Sequence, residues 1–302
     1  MATNTIAGAN LAAIAEMSLP TLLEAFAPLA ALTTDFSSDI ARSGESVTTR
    51  FASKPTAQDL SSNYNAGNST TVAVTATLNQ YYGYVWEFSD VERTKSMINL
   101  NDLFIQPAAA VTGARMFQDV WNLVNDTNFP AAAAATELTV TAANFDRDDV
   151  ADLAAQLTTN GVPLSRRSLI LNPTYYASLA KDLNSVDASG QSRTLGENVI
   201  PRLHGFDVYQ SPLCDGNAVN VTGLACHSTA LIVAARGVDV PSTPGLEVEN
   251  IVVPELGLPV QFRRWYDPNT GQLKYMMGVL YGVASAMGTS GSRPAGIKIV
   301  SS

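Results

Sequence analysis

The chain has 302 residues, 46% of them hydrophobic and 15% charged, and a formal net charge of −9 at pH 7. This length and hydrophobic content suffice for one large domain or two ordinary ones with a substantial core. The negative charge argues against a dedicated nucleic-acid-binding surface, because such a surface needs clustered lysines and arginines. The composition is compatible with an acidic surface that faces nucleic acid but does not bind it.

Residues 1–43 are predicted to form a helical or partly helical arm, split into two short segments at Pro20 and Pro28. The arm is apolar, but it has no basic region at its start, and the two prolines and two glutamates interrupt it. These features are unlike those of a signal peptide or a membrane-spanning helix. We therefore expect a cytosolic product.

Residues 44–79 change character and are predicted to form a long, polar ribbon. Val72, Val74, Ala76 and Leu78 alternate with other residues, mainly threonine, the period of two that is typical of a half-exposed strand. The run "SGESVTTRF" is expected to pair with this strand. So few apolar groups cannot offset the entropy of ordering a two-stranded ribbon, which is marginal alone in water. The ribbon is therefore either disordered or lies on something other than its own core, and the alternating strand favours the second interpretation.

An aromatic strand, "YYGYVWEFSDVE" (81–92), is predicted next, followed by a long helix. We expect Pro107 in the first turn of the main part of this helix, where its missing N–H costs nothing. From residue 107 to 126 the helix would be about 30 Å long. Apolar side chains at spacings of three and four predict a single buried stripe, formed by Val111, Ala114, Phe117, Val120, Trp121 and Val124.

The middle third contains both predicted helices and predicted strands, as in an α/β domain. Asp146 and its acidic neighbours are expected at the N-terminus of one helix, and Asn172 is expected to cap another that starts at Pro173. The last third is rich in strands, and residues 263–287 predict two long strands joined by a tight turn at Pro268–Gly271. The tail, residues 288–302, is predicted to be loosely held.

Two cysteines and two histidines, Cys214, Cys226, His204 and His227, lie within 24 residues and raise the question of a zinc site. Their spacing does not fit the patterns of structural zinc sites, so we do not predict one. A disulfide between the two cysteines is geometrically feasible, but a reducing cytosol argues against it, which favours buried or loop thiols.

Candidate chemistry elsewhere is weak, and no constellation predicts an enzyme or a cofactor. The pairs Arg166–Arg167 and Arg263–Arg264 border strands, and we interpret them as structural or inter-subunit ion pairs rather than ligand-binding residues. Lys54 in the ribbon could form a covalent link to another subunit, but a solvated lysine is the simpler interpretation.

The order of these elements resembles the major capsid protein of tailed double-stranded DNA bacteriophages, with the Hong Kong 97-like fold. The resemblance covers approximately residues 10–290. It rests on the segments "GESVTTRF", "STTVAVTATLNQYYGYVWEFSDVER", "RRSLILNPTYYASLAKDL", "GENVIPRLHGFDVYQSPL" and "RRWYDPNTGQLKYMMGVLYGVAS", in this order and flanking a long helix.

The resemblance implies an α+β fold in five parts. They are an N-terminal arm (1–43), an extended β-hairpin loop (44–92), a peripheral domain with a long spine helix and long strands (93–144 and 246–290), an axial domain with a central sheet flanked by helices (145–245), and a C-terminal tail (291–302). The spine helix would bury Phe117, Val120, Trp121 and Val124. Candidate subunit-interface residues are Arg50, Phe51, Lys54, Tyr64, Arg166, Arg167, Arg263 and Arg264.

The function that the resemblance implies is self-assembly into pentamers and hexamers of an icosahedral head. This head would enclose double-stranded DNA without sequence-specific binding. The arm and the ribbon would gain order only on neighbouring subunits. The implied partners are other copies of the chain, a separate scaffolding protein and a portal; no membrane, cofactor or metal is implied. The protein would reside in the virion capsid, and in the host cytoplasm during assembly. A tail tube subunit or an acidic cytosolic hydrolase are the alternative hypotheses.

Overall fold

The structure, a computed structural model, describes residues 16, 18, 26–32, 46–52, 61, 71–95, 100–130, 136–186, 200, 202–214, 220–241, 243–253, 257–287 and 294–301. Its helices are α1 (Asp90–Lys95), α2 (Leu100–Trp121), α3 (Arg147–Thr159) and α4 (Pro173–Val186), with 3-10 helices at Ala27–Ala31 and Pro212–Cys214. Its strands are β1 (Ser46–Ala52), β2 (Thr71–Thr77), β3 (Gln80–Ser89), β4 (Glu137–Thr139), β5 (Arg167–Leu171), β6 (Arg202–Leu203), β7 (Phe206–Gln210), β8 (Val221–His227), β9 (Leu231–Arg236), β10 (Leu246–Val253), β11 (Leu258–Asp267), β12 (Gln272–Ser285) and β13 (Gly296–Val300).

Strands β1 and β2 form a two-stranded antiparallel ribbon, as the sequence predicts. Val74 and Ala76 are buried, whereas Ala73, Thr75 and Thr77 are exposed, which is the expected alternation. The buried side chains pack on β9 and the end of β12 in the same chain. The prediction that the ribbon lies wholly on something other than its own core is therefore wrong for this end of the ribbon.

A five-stranded sheet is built mainly from the last third of the chain, in the order β10-β11-β12-β3, and β9 pairs with the end of β12. The predicted hairpin between β11 and β12 is confirmed: Gly271 has a φ of 64°, the left-handed conformation that its turn requires. Because β3 pairs with ten residues of β12, residues 80–89 belong to this sheet and not to the extended loop (44–92) in which the prediction placed them.

Helix α2 packs on one face of this sheet, against β3 and β12. Phe117, Val120, Trp121 and Val124 share one core cluster with the buried side chains of β12, which confirms the predicted packing of this strand on the helix. Two details were wrong. Pro107 lies inside the helix, because α2 already begins at Leu100, and Val111 is 56% exposed. The buried stripe runs instead through the positions of Thr112 and Met116.

A six-stranded mixed sheet forms the second half of the core, in the order β4-β13-β8-β5-β7-β6. Helices α3 and α4 contribute the apolar side chains that cover one of its faces. The predicted cap is present: Asn172 Oδ1 accepts a hydrogen bond from the N–H of Tyr175 at 2.9 Å. Asp146 lies at the N-terminus of its helix as expected and also caps it, because its carboxylate accepts hydrogen bonds from the backbone N–H groups of Asp148 and Asp149.

The C-terminal strand β13 is the largest departure from the sequence prediction. It lies between β4 and β8, and Ile297, Lys298 and Ile299 are buried. The prediction of a loosely held tail is therefore wrong for residues 294–301. Both faces of β13 are buried, so its lysine is buried together with the two isoleucines beside it. A buried lysine requires a charged partner inside the protein.

Part of the predicted arm also packs on its own chain. Phe26, Leu29, Ala31 and Leu32 are buried, and the 3-10 helix contacts β5 and β7. The expectation that the arm gains order only on neighbouring subunits is therefore wrong for residues 26–32. Among the described helices, none combines the length and the apolar character needed to cross a membrane.

Candidate subunit interface

The outer face of the ribbon presents polar side chains to solvent. Arg50, one of the predicted interface residues, is exposed and pairs across the ribbon with Ala73. Thr48 and Thr75 join their hydroxyls at 2.8 Å on the same face. Phe51 points to the other side, where it packs half-buried against the cluster formed with β9 and β12. The predicted interface residues Lys54 and Tyr64 lie outside the described residues.

The two arginines of the pair 166–167 have opposite environments. Arg166 is exposed and has a φ of 53°. Arg167 is 1% exposed, and its guanidinium donates to the carbonyl oxygens of Pro163 at 2.8 Å, Ala154 at 3.0 Å and Val162 at 2.7 Å. Burial lowers the pKa of this guanidinium. The structural interpretation therefore fits Arg167, and its predicted place at a subunit interface does not.

The second pair, Arg263–Arg264, is half-buried and engaged within the chain. Arg264 forms an ion pair with Glu247 at 2.6 Å, and Arg263 donates from Nε to Gln261 Oε1 at 2.8 Å. Because neighbouring residues on a strand point to opposite faces, only one of the two arginines can face a given partner.

The edge strand β3 carries a surface that the sequence interpretation missed. Tyr81, Tyr82, Tyr84 and Val85 are 44%, 39%, 42% and 51% exposed, respectively; we call them the tyrosine strip. Among the described strands only β12 pairs with β3, so no described strand covers the other edge of β3. An open edge with exposed aromatic side chains is typical of a surface that another protein covers. The run "YYGYV" was a possible signal, because it does not alternate apolar with polar residues.

A polar network, buried at Tyr281 and exposed at Arg115, ties the long helix to the sheet beneath this strip. Tyr281 donates its hydroxyl proton to Asp119 at 2.5 Å, and Asp119 also pairs with Arg115 at 3.0 Å. Arg115 lies 4.5 Å above the ring of Tyr82. Burial, together with the hydrogen bond to Asp119, raises the pKa of Tyr281 well above its usual value.

Gly282 allows the base of the ribbon to approach the sheet. A Cβ at this position would lie closer than 3.0 Å to the carbonyl oxygen of Thr77, a separation that real Cβ atoms essentially never show. The backbones of β2 and β12 are therefore in direct contact at this point, and the start of the ribbon is held in place.

No metal or disulfide site emerges from the cysteines and histidines. Cys214 and Cys226 are both buried, and no disulfide joins them. Within the described part of the chain, no group of three or more His, Cys, Asp or Glu residues could hold a metal ion. The buried thiols match the interpretation that the sequence favoured.

Cys226 is expected to resist alkylation in the folded protein. Burial raises the pKa of its thiol to about 12, so at pH 8 only roughly one thiol in ten thousand would be ionised and nucleophilic. Peptide mapping after iodoacetamide treatment should find Cys226 unmodified in native protein and fully modified in urea. Rapid alkylation under native conditions would contradict the burial.

Comparisons with known proteins match most of the chain. A family model described as phage capsid protein matches residues 70–289. No curated protein matches the sequence significantly. A solved structure from Mycobacterium phage Che8 is 18% identical, with a TM-score of 0.60, and the match covers 91% of this chain and 90% of that one. The capsid of Ralstonia phage GP4 is 11% identical, with a TM-score of 0.58 and coverage of 86% and 84%. At these identities the structural matches establish a shared fold.

Proposed function

Because this chain belongs to the phage capsid protein family, we propose that its copies assemble into pentamers and hexamers that close into an icosahedral head around double-stranded DNA. The family makes the chain a structural major capsid protein with a place in the virion capsid. Our proposal goes beyond the family in three respects. It names the assembly units, the further partners and the residues that join the subunits.

The ribbon is the observation that carries this proposal. Val74 and Ala76 are buried against the same chain, whereas Val47 and Phe51 on the same face are only half-buried. Val47 lies opposite Ala76 at the base, and Phe51 lies farther out, opposite Val72. The apolar face of the ribbon therefore extends beyond the surface that its own chain supplies. We infer that a neighbouring subunit covers the rest of this face together with residues 53–70, which connect the two strands.

Charge supports contacts through the exposed arginines. The chain carries 27 acidic and 18 basic residues, so a neighbouring copy offers more carboxylates than cationic groups. Arg50 and Arg166 are exposed, and both would find carboxylates on such a surface. The same negative charge keeps the inner wall of a shell from holding DNA, because like charges repel the phosphates. A separate scaffolding protein and a portal are further proposed partners, and assembly is proposed to take place in the host cytoplasm.

Shortening the ribbon is expected to abolish shell formation while leaving the subunit folded. In the test variant, residues 53–70 are replaced by Asn-Gly, which closes a two-residue hairpin turn. The control keeps the length of this segment but replaces it with a Gly/Ser sequence. Gel filtration and electron microscopy should show shells for the natural sequence only. Shells of normal size and yield from the shortened variant would contradict the role of the ribbon.

A further inference from the structure

Lys298 is a fully buried lysine in the middle of the C-terminal strand β13, with a side-chain exposure of 0%. Its backbone N–H donates to the carbonyl oxygen of Thr136 at 2.9 Å, and it lies directly opposite Glu137 of β4 in the parallel pairing of the two strands. Burying an ammonium group destabilises the fold unless the charge is paired. The groups that contact Lys298 Nζ therefore determine its chemistry.

Two carboxylates surround the amine. Glu137 Oε2 lies 2.8 Å from Lys298 Nζ, and Oδ1 of Asp126 is in direct contact with the same nitrogen. Glu137 is held in position by a hydrogen bond from Thr139 Oγ1 at 3.1 Å. Asp126 belongs to the loop that follows α2, so the cluster brings together the end of the long helix and two strands of the six-stranded sheet.

The geometry points to a covalent bond: we propose that Lys298 and Asp126 condense to an intramolecular amide, with Glu137 as the proton carrier. An ammonium and a carboxylate become an amide and one water molecule. Glu137 takes a proton from Nζ, and the lone pair of the nitrogen then attacks Cγ of Asp126. A second proton then passes from the nitrogen to one Asp126 oxygen. The Cγ–O bond to that oxygen breaks as Glu137 returns the first proton to it, and the oxygen leaves as water. No oxidant, reductant or cofactor is required.

The exposures of the two carboxylates assign their roles. The Asp126 side chain is 61% exposed, so the water formed at this carbon has a path to solvent. The Glu137 side chain is 17% exposed and is fixed by Thr139, which suits a group that moves a proton between two bound atoms and is regenerated.

The bond would pin the C-terminal strand to the end of the long helix and close a loop over 172 positions of the sequence. Strand β13 could then not leave the sheet without the helix. This inference concerns the single folded chain, so it holds or fails independently of shell formation.

Intact mass spectrometry of the full-length folded protein, denatured before injection, tests the proposal. The natural chain is expected to be lighter by one water than the mass of its sequence, and a protease digest should contain a branched peptide that joins residues 126 and 298. A chain that carries its full sequence mass has only an ion pair at this site, and the proposal is then overturned.

Three variants separate this amide from other losses of water. K298R keeps the positive charge and the ion pair but cannot form the amide, so it should show its full sequence mass. D126A should do the same. If K298R still lacks one water, the loss comes from another reaction, such as cyclisation of an aspartate, and the proposal fails. E137Q should fold, as judged by circular dichroism, and remain unreacted; complete reaction of E137Q would exclude Glu137 as the proton carrier.

Discussion

Trp121→Ala is expected to lower the free energy of unfolding by about 3–5 kcal/mol, because it removes a large side chain from a close-packed core. Trp121 is 2% exposed and stacks on Phe117, with ring centroids 5.8 Å apart. These side chains belong to the cluster that joins α2 to the five-stranded sheet. The loss should therefore weaken the contact between α2 and the five-stranded sheet. Urea denaturation followed by circular dichroism measures it.

Two further variants on the same helix sharpen this experiment. Val111→Ala changes an exposed position and should alter the free energy of unfolding by no more than about 0.5 kcal/mol. Trp121→Phe should cost less than Trp121→Ala, because the indole Nε1 is buried without a hydrogen-bond partner among the described residues, so its removal leaves no acceptor unpaired. Equal effects for Trp121→Ala and Val111→Ala would contradict the packing described.

Gly282→Ala is expected to have the second large effect, about 3 kcal/mol of destabilisation from overpacking. The added Cβ would collide with backbone atoms of Thr77 and Leu78, and backbone atoms cannot move aside as a flexible side chain can. The base of the ribbon should separate from the sheet. We expect a lower melting temperature and faster protease cleavage within residues 46–77, and poor assembly as a consequence.

The matched control is Gly237→Ala, the same substitution at another glycine. A Cβ at position 237 would meet only the Asn250 side chain, at 3.5 Å, which is an ordinary van der Waals distance. This variant should keep normal protease resistance in the ribbon. If both variants behaved alike, the close approach of β2 to β12 would not be what fixes the ribbon.

Local sequence patterns predicted the structure correctly where a feature depends only on residues close together in the sequence. The amide of Asn172 caps its helix as predicted, because a cap depends only on the next three residues. Asp146 lies at the start of its helix, where its acidic neighbours predicted a helix N-terminus. The alternation around Val74 and Ala76 likewise predicted which face of the ribbon is buried. The period of three and four in residues 117–124 predicted the buried stripe of the long helix.

Features that depend on distant partners could not be predicted in this way. Strand β13 carries a lysine at its centre, and only the carboxylates of Asp126 and Glu137, far away in the sequence, make its burial possible. Arg167 resembles its neighbour Arg166 in sequence, but the chain turns back after helix α3 so that backbone carbonyl groups of residues 154, 162 and 163 accept hydrogen bonds from its guanidinium; this path of the backbone is not visible in the sequence. The tyrosine strip was not recognised as a surface because exposure on an edge strand is decided by which strands pair.

Electron microscopy of the purified full-length chain, expressed alone and together with a candidate scaffolding protein, tests the central claim most directly. A subunit that closes into a head should give round shells of uniform size whose surface lattice resolves into hexamers with pentamers at the vertices. Open tubes or stacked rings would identify a tail-type subunit, and a chain that stays monomeric in both preparations would show that it does not build a shell.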